Sequence, residues 1–141
     1  MKTILVSACL LGENCKYNGG NNYHPAVCDY VQGQKVIGVC PEVLGGLPTP
    51  RCPAEIVNGV VTNKEGVNVD HAFRMGAEKA LAIAKENHVD LAILQSRSPS
   101  CGVKEVYDGT FSGRKISGQG VFAQMLRENG ICVLDAEEVK E

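Results

Sequence analysis

The sequence Lys2-Thr3-Ile4-Leu5-Val6-Ser7-Ala8-Cys9 decides the fold, because it joins a continuous apolar run directly to a cysteine. A strand with no polar alternation is typical of a sheet that is covered on both faces. Three later runs have the same character. The four predicted strands are Ile4-Val6, Val36-Val39, Leu91-Leu94 and Ile131-Leu134. The pattern therefore predicts a buried sheet with helices on both sides.

Helical periodicity separates these runs. The predicted helices extend from about His24 to Val31, from Asp70 to Asn87 and from Gln119 to Asn129. The second is the clearest, because its apolar residues recur at spacings of three and four. Asn68 or Asp70 is the candidate N-cap of that helix, and Ser117 is the candidate N-cap of the third. Gly130 is placed to end the third helix.

Strands and helices thus alternate along the chain, and right-handed crossovers between such units produce a parallel sheet. Asn58-Gly59 lies between Ala54-Val57 and Val60-Thr62, which predicts an inserted β-hairpin. The expected fold is a three-layer, doubly wound, mainly parallel α/β sheet of Rossmann-like type with a small hairpin insertion. We expect one domain over residues 1–141.

Composition narrows the functional classes. The chain carries 14 basic and 16 acidic residues, so its net charge of -2 provides no basic field for a nucleic-acid polymer. The residues before Cys9 resemble a lipoprotein signal, but their apolar run is shorter than the roughly 7 to 15 residues of a secretory signal. No run approaches the roughly 20 residues that span a bilayer. We therefore expect a cytoplasmic protein with neither membrane nor nucleic acid as a partner.

Seven cysteines are a high number for 141 residues. In a reducing compartment such cysteines more often bind metal or act in catalysis than form disulfides. They are Cys9, Cys15, Cys28, Cys40, Cys52, Cys101 and Cys132. No CxxC or CxxxC spacing occurs, which argues against a zinc ribbon or a thioredoxin-like motif. A cysteine site must therefore be assembled from distant segments.

Three cysteines follow predicted strands. Cys9 follows the first strand, Cys40 ends the second, and Cys101 lies in the loop after the third. Ligands of open α/β sheets bind at the carboxyl ends of the strands, near a topological switch point. Thiolates suit a soft metal or an iron-sulfur cluster. Three of them leave one coordination position for a substrate, as in catalytic metal centres.

The other cysteines are open to simpler interpretations. Free cysteine often behaves as a small buried hydrophobe, and we expect this of Cys28 and of Cys132 within the fourth strand. Cys15 and Cys52 lie near candidate ligands, and either would complete a closed cluster, although we favour neither. A redox-active pair of Cys9 with Cys15 is a further alternative.

Three segments together carry a resemblance to a known family. They are Ser7-Ala8-Cys9-Leu10-Leu11-Gly12, Cys40-Pro41-Glu42 with Gly45-Gly46-Leu47-Pro48-Thr49-Pro50-Arg51, and Ser98-Pro99-Ser100-Cys101-Gly102. In this order they resemble the catalytic domain of the thiouracil desulfidase (TudS-type) family, formerly a domain of unknown function, over almost the whole chain. The resemblance implies a [4Fe-4S] cluster held by Cys9, Cys40 and Cys101, with one iron open to substrate.

The resemblance also implies an activity. Such an enzyme removes sulfur from 2-thiouracil without net redox chemistry, so the expected reaction hydrolyses C=S to C=O on a small thiolated base or nucleoside. The assisting acid and serine correspond to Glu42, as a base for water, and Ser98. Ser100 is a further catalytic candidate. The alternatives are that Glu42 caps a helix or pairs with Arg51, and that both serines only form a turn.

Three residues are candidates for substrate binding. Tyr17 and Asn18 offer stacking and hydrogen bonding, and Arg51 offers a cation for an anionic group. The alternatives are that Tyr17 and Asn18 close a turn and that Arg51 holds its own loop together. A second functional hypothesis is a non-catalytic module that binds or carries metal or sulfur with the same cysteines.

Overall fold

The structure is a computed structural model that describes residues 1–139. In chain order the strands are β1 (Thr3–Ser7), β2 (Lys35–Val39), β3 (Ala54–Val57), β4 (Val60–Asn63), β5 (Leu91–Leu94), β6 (Glu105–Tyr107), β7 (Lys115–Ser117) and β8 (Val133–Asp135). The helices are α1 (Pro25–Tyr30), α2 (Pro41–Leu44), α3 (Asp70–Glu86) and α4 (Val121–Glu128), with 3₁₀ turns at Ala8–Leu11 and Ala136–Glu138.

The four apolar runs form one parallel sheet in the order β2-β1-β5-β8. Leu5 of β1 is in register with Ile37 of β2. Val6 is in register with Ile93 of β5, and Leu94 with Asp135 of β8. The chain passes from β1 outward to β2 and then returns to β5 on the other side of β1. The predicted fold class is confirmed, and the strand order reverses direction between β1 and β5.

Both faces of the sheet are covered. On one face, Phe73 of α3 and Phe122 of α4 pack in a cluster that includes Leu5. On the other face, Val27 of α1 packs in a second cluster with Ile4. Successive side chains of a strand point to opposite faces, which explains why Ile4 and Leu5 belong to different clusters. The apolar runs of β1 and β5 thus have the cause that the sequence indicated, whereas β2 lies at the edge of the sheet and only its last residue, Val39, is buried.

A close contact between helices positions the residue before α2. Gly76 of α3 lies against the first turn of α2, and a Cβ atom there would overlap the Pro41 carbonyl oxygen. Pro41 occupies the first helical position, where its missing N–H leaves no hydrogen bond unmade. The preceding residue, Cys40, is the N-cap of α2. Helix α3 therefore supports the backbone that carries Cys40.

Two antiparallel hairpins lie outside the main sheet. The first pairs β3 with β4 around Asn58-Gly59, as predicted, and Ile56 faces Val61. The second pairs β6 with β7 and was not predicted; Glu105 faces Ser117. Among residues 1–139, no helix has both the length and the apolar character needed to cross a membrane.

Three local predictions are wrong. Helix α4 begins after Gly120, because Ser117 pairs within β7 and is not free to cap. Helix α3 has no side-chain N-cap; Asn68 Oδ1 instead accepts the backbone N–H of its first residue at 2.9 Å. The fourth parallel strand begins after Cys132, which is exposed and does not fill the core.

Candidate functional site

The candidate site lies where β1, β2 and β5 end. Cys9 stands in the 3₁₀ turn after β1, Cys40 directly follows β2, and Cys101 lies in the loop after β5. The ends of β1 and β5 are joined by a hydrogen bond from Gln95 N to Ser7 Oγ at 3.0 Å. These strands flank the point at which the strand order reverses, where open α/β sheets bind their ligands.

One cavity of about 500 Å³ occupies this edge of the sheet, and Cys9, Cys40 and Cys101 all line it. Cys15 lines the same cavity, whereas Cys52 is not part of its wall. Within residues 1–139, no three Cys, His, Asp or Glu side chains are grouped as ligands of a single metal ion. Cysteines from three separate loops therefore line one cavity, and cysteine thiolates are the usual ligands of iron-sulfur clusters.

The thiols of this cavity differ in their surroundings. Asn22 Nδ2 lies 3.4 Å from Cys9 Sγ, and Ser100 Oγ lies 3.7 Å from Cys101 Sγ. Burial is the main cause that raises the pKa of both thiols, and the nearby Glu42 carboxylate adds to it. Burial and the neighbouring cysteines raise the pKa of Cys15 to about 12. Reactive cysteines have lowered pKa values, so a redox pair of Cys9 with Cys15 gains no support.

Glu42 and Arg51 form a mostly buried ion pair at the cavity. Glu42 Oε1 accepts a hydrogen bond from Arg51 Nε at 3.1 Å, and the two side chains are 16% and 7% exposed. Arg51 also donates to the carbonyl oxygens of Pro48 and Cys15 and to Thr49 Oγ1. Four of its five N–H groups thus serve protein acceptors. The geometry favours the alternative in which Arg51 holds the loops together, while substrate binding by Arg51 stays a prediction.

The two serines connect this ion pair to the third loop. Ser98 Oγ accepts the backbone N–H groups of Ser100 and Cys101, each at 3.1 Å. Because a hydroxyl has two lone pairs and one proton, its proton is left for the 2.9 Å contact with Ser100 Oγ. Ser100 Oγ in turn donates to Glu42 Oε2 at 2.9 Å. A directed hydrogen-bond chain therefore runs from Ser98 through Ser100 to Glu42.

The start of the third loop is tied to the last strand. Ser96 Oγ donates to Asp135 Oδ1 at 2.5 Å, and both side chains are buried. Arg97 donates to both carboxylate oxygens of Glu137, at 2.8 and 2.9 Å. Such charge-assisted, bidentate contacts restrict geometry more than single hydrogen bonds do. The start of the loop that ends at Cys101 is therefore fixed to β8 and to the 3₁₀ turn that follows it.

The remaining predicted binding residues are placed differently. Tyr17 lines the cavity, although its side chain is 42% exposed, and Lys16 Nζ lies 5.8 Å from its ring centre. Asn18 is not part of the cavity wall, and its side-chain oxygen accepts the Gly20 N–H at 2.9 Å. Asn18 thus closes a turn, as its alternative interpretation had it, and the geometry offers no support for a contact with substrate.

Several cavity residues were missed by the sequence reasoning. Asn22, Glu55, Tyr107 and Phe111 all line the cavity. A glycine-rich turn separates Asn22 from Cys9, and its sequence does not predict that the chain returns to bring Asn22 beside Cys9. The Asp108-Gly109 pair between Tyr107 and Phe111 is a hairpin signal that would have indicated the second hairpin.

The chain is similar to known proteins over almost its whole length. The sequence model of the 2-thiouracil desulfurase family matches residues 4–138. YbbK of Bacillus subtilis (strain 168), described as uncharacterized, is 40% identical over 148 residues, covering 98% of each chain. A solved structure described as the [4Fe-4S]-dependent thiouracil desulfidase TudS superposes with a TM-score of 0.93 at 37% identity, over 99% of this chain and 93% of that one. This chain belongs to the 2-thiouracil desulfurase family.

Proposed function

We propose that this protein is a desulfidase that removes sulfur from a small thiolated base or nucleoside and depends on a [4Fe-4S] cluster held by Cys9, Cys40 and Cys101. The observation that carries the proposal is that these three cysteines, from three separate loops, line one cavity beside a carboxylate. The similarity to a [4Fe-4S]-dependent thiouracil desulfidase supports the same cofactor and reaction class.

The donor set fits the cofactor. Iron-sulfur clusters are held by cysteine thiolates, and thiolates do not suit magnesium or calcium. When bound through three cysteines, the cluster supplies one iron free of protein ligands, which acts as a Lewis acid toward the substrate sulfur. Asn22 places a hydrogen-bond donor 3.4 Å from the sulfur of Cys9. Such donors tune the properties of cluster ligands.

Side chains of the cavity would accept the proton that the reaction releases. Conversion of C=S to C=O needs water as nucleophile, and the proton that water loses needs an acceptor. Glu42 is the carboxylate of the cavity that stands beside the cysteines, and Arg51 fixes one of its oxygens. General-base catalysis of this kind contributes roughly 10²- to 10⁴-fold in rate. Ser100 orients the other carboxylate oxygen of Glu42. Ser98, which is hydrogen-bonded to Ser100, extends the path for the proton.

Anaerobic reconstitution with iron and sulfide tests the proposal. We expect four iron and four sulfide per chain, together with release of sulfide and uracil from 2-thiouracil. Serine in place of Cys9, Cys40 or Cys101 is expected to abolish both cluster retention and sulfide release. Cys132→Ser, at an exposed thiol away from the cavity, is the matched control.

Two results would contradict the proposal. A cluster without turnover of any thiolated base would favour a carrier of metal or sulfur. Full activity without iron would show that the cluster takes no part in the reaction.

A further inference from the structure

The second hairpin forms part of the cavity wall that the cysteine loops leave open. Tyr107, at the end of β6, lines the cavity together with Phe111 from the β6–β7 turn. Glu55 of β3 lines it as well, so the two hairpins meet at this wall. Neither hairpin belongs to the main sheet. The wall therefore combines two aromatic rings with a carboxylate, and the chemistry described above uses none of them.

Glu55 holds the β6–β7 turn in place. Its Oε1 accepts the backbone N–H of Gly109 at 2.9 Å and that of Phe111 at 3.1 Å. A carboxylate that accepts two backbone N–H groups makes charge-assisted hydrogen bonds, which are stronger than neutral ones. Glu55 Oε1 thus holds the β6–β7 turn by hydrogen bonds on both sides of Thr110.

The backbone of this turn is unusual at the same two residues. Phe111 has a φ of 55°, a left-handed conformation that is unfavourable for a residue with a bulky side chain. Gly109 has a φ of 92°, and a Cβ atom there would stand 2.7 Å from the Ile56 carbonyl oxygen. Strained conformations persist where the surroundings enforce them, and they concentrate at ligand-binding positions. The turn is therefore held in the conformation in which Phe111 lines the cavity.

On this geometry, and resting on the proposed function, we propose that Phe111 is the specificity-determining residue that stacks on the flat ring of the thiolated base, and that Glu55 is the positioning residue that holds it there. Flat, delocalised rings stack on aromatic faces with little dependence on their substituents. Phe111 would thus select for a planar heterocycle, whereas a small acyclic thioamide or thiourea would gain nothing from it.

The first experiment measures binding of uracil, the expected product, to the anaerobically reconstituted protein by calorimetry. Loss of base–aromatic stacking corresponds to roughly 5- to 150-fold in affinity, and we expect this loss for Phe111→Ala. Phe111→Leu keeps apolar volume but has no ring face, so it should recover only a small part of the uracil affinity that Phe111→Ala loses. Phe111→Tyr should bind as the unaltered protein does. Tyr30→Ala, at an exposed aromatic side chain at the end of α1, is the matched control.

Kinetics with 2-thiouracil give a second measurement. Phe111→Ala should raise KM by about the same factor as it weakens uracil binding, with kcat changed less than about threefold, because stacking is uniform binding of substrate and transition state. A small thioamide should be processed equally by both proteins. Equal uracil affinity in Phe111→Ala and the unaltered protein, or no uracil binding by the unaltered protein, would overturn the assignment.

The role of Glu55 is tested without any turnover. In the cluster-free protein, Glu55→Ala should speed hydrogen exchange of the Gly109 and Phe111 amides, while the amides of β1 keep their protection. Glu55→Gln retains a carbonyl acceptor and should restore part of the protection and part of the uracil affinity. Unchanged exchange at both amides in a folded Glu55→Ala protein would show that Glu55 does not hold the turn.

These measurements separate this inference from the proposed function. If the unaltered protein binds uracil but releases no sulfide from 2-thiouracil, the desulfidase proposal fails, and the binding data for Phe111→Ala still decide the stacking role. If sulfide is released normally and Phe111→Ala changes neither uracil affinity nor KM, the stacking proposal fails alone.

Discussion

Replacement of Ser100 by alanine removes the central link of the chain from Ser98 to Glu42. Ser100 is 1% exposed, and its hydroxyl is the donor to Glu42 Oε2 at 2.9 Å. A hydrogen bond to a charged group contributes about 1.5–3 kcal/mol. Because the Glu42 side chain is 16% exposed, water can replace part of this donor, and we expect a loss of about 1.5–2 kcal/mol. For a chain of this length that lowers Tm by roughly 5–8 °C.

The assay compares thermal unfolding of the cluster-free protein with sulfide release by the reconstituted one. A carboxylate that is free to turn is a poorer base, so kcat is expected to fall by about tenfold or more, as part of the roughly 10²- to 10⁴-fold that general-base catalysis contributes. Ser100→Thr, which keeps the hydroxyl, should recover part of both losses. Ser117→Ala, at an exposed serine of β7, is the control. Unchanged Tm and kcat in Ser100→Ala would refute the hydrogen-bond chain as a functional element.

Three further outcomes are expected. Gly76→Ala should lower the free energy of unfolding by at least about 2 kcal/mol, measured by urea denaturation, because the new methyl group overlaps the Pro41 carbonyl. Arg97 lowers the pKa of the Glu137 carboxyl, so this pair stabilises the fold above the ordinary glutamate pKa of about 4.3 and loses that effect as the pH falls through the lowered value. The urea midpoint of Glu137→Gln should therefore fall less between about pH 7 and about pH 3 than that of the unaltered protein. Cys15→Ser should retain a full complement of iron, and loss of iron would identify Cys15 as a fourth ligand.

The main sheet was predictable because its signal is strong and local. A buried parallel strand needs apolar residues on both faces, and the runs around Leu5 and Ile93 show this directly. The β6–β7 hairpin was missed because each of its strands has only three residues, and in β7 all three are exposed. Helix α2 was missed because four residues are too few to show periodicity.

The candidate site could likewise be predicted only in part from the sequence. The positions of Cys9, Cys40 and Cys101 at the cavity could be anticipated, since strand ends in a parallel sheet share one edge. The partners of Glu42 could not be fixed, because the choice between a cap, an ion pair and a base depends on side-chain directions between loops. Ser100 shows this most clearly: the sequence favours a turn there, yet its hydroxyl contacts the carboxylate.

The three candidate ligands come from residues far apart in sequence, and only the pairing of β1 with both β2 and β5 brings them to one cavity. Parallel pairing closes long loops and is intrinsically slow to form. A newly made chain thus presents isolated thiols, none of which alone can capture a cluster. Cluster binding is therefore expected to be coupled to folding, and a substitution that loosens the β1–β5 pairing is expected to lower cluster occupancy while leaving every cysteine in place.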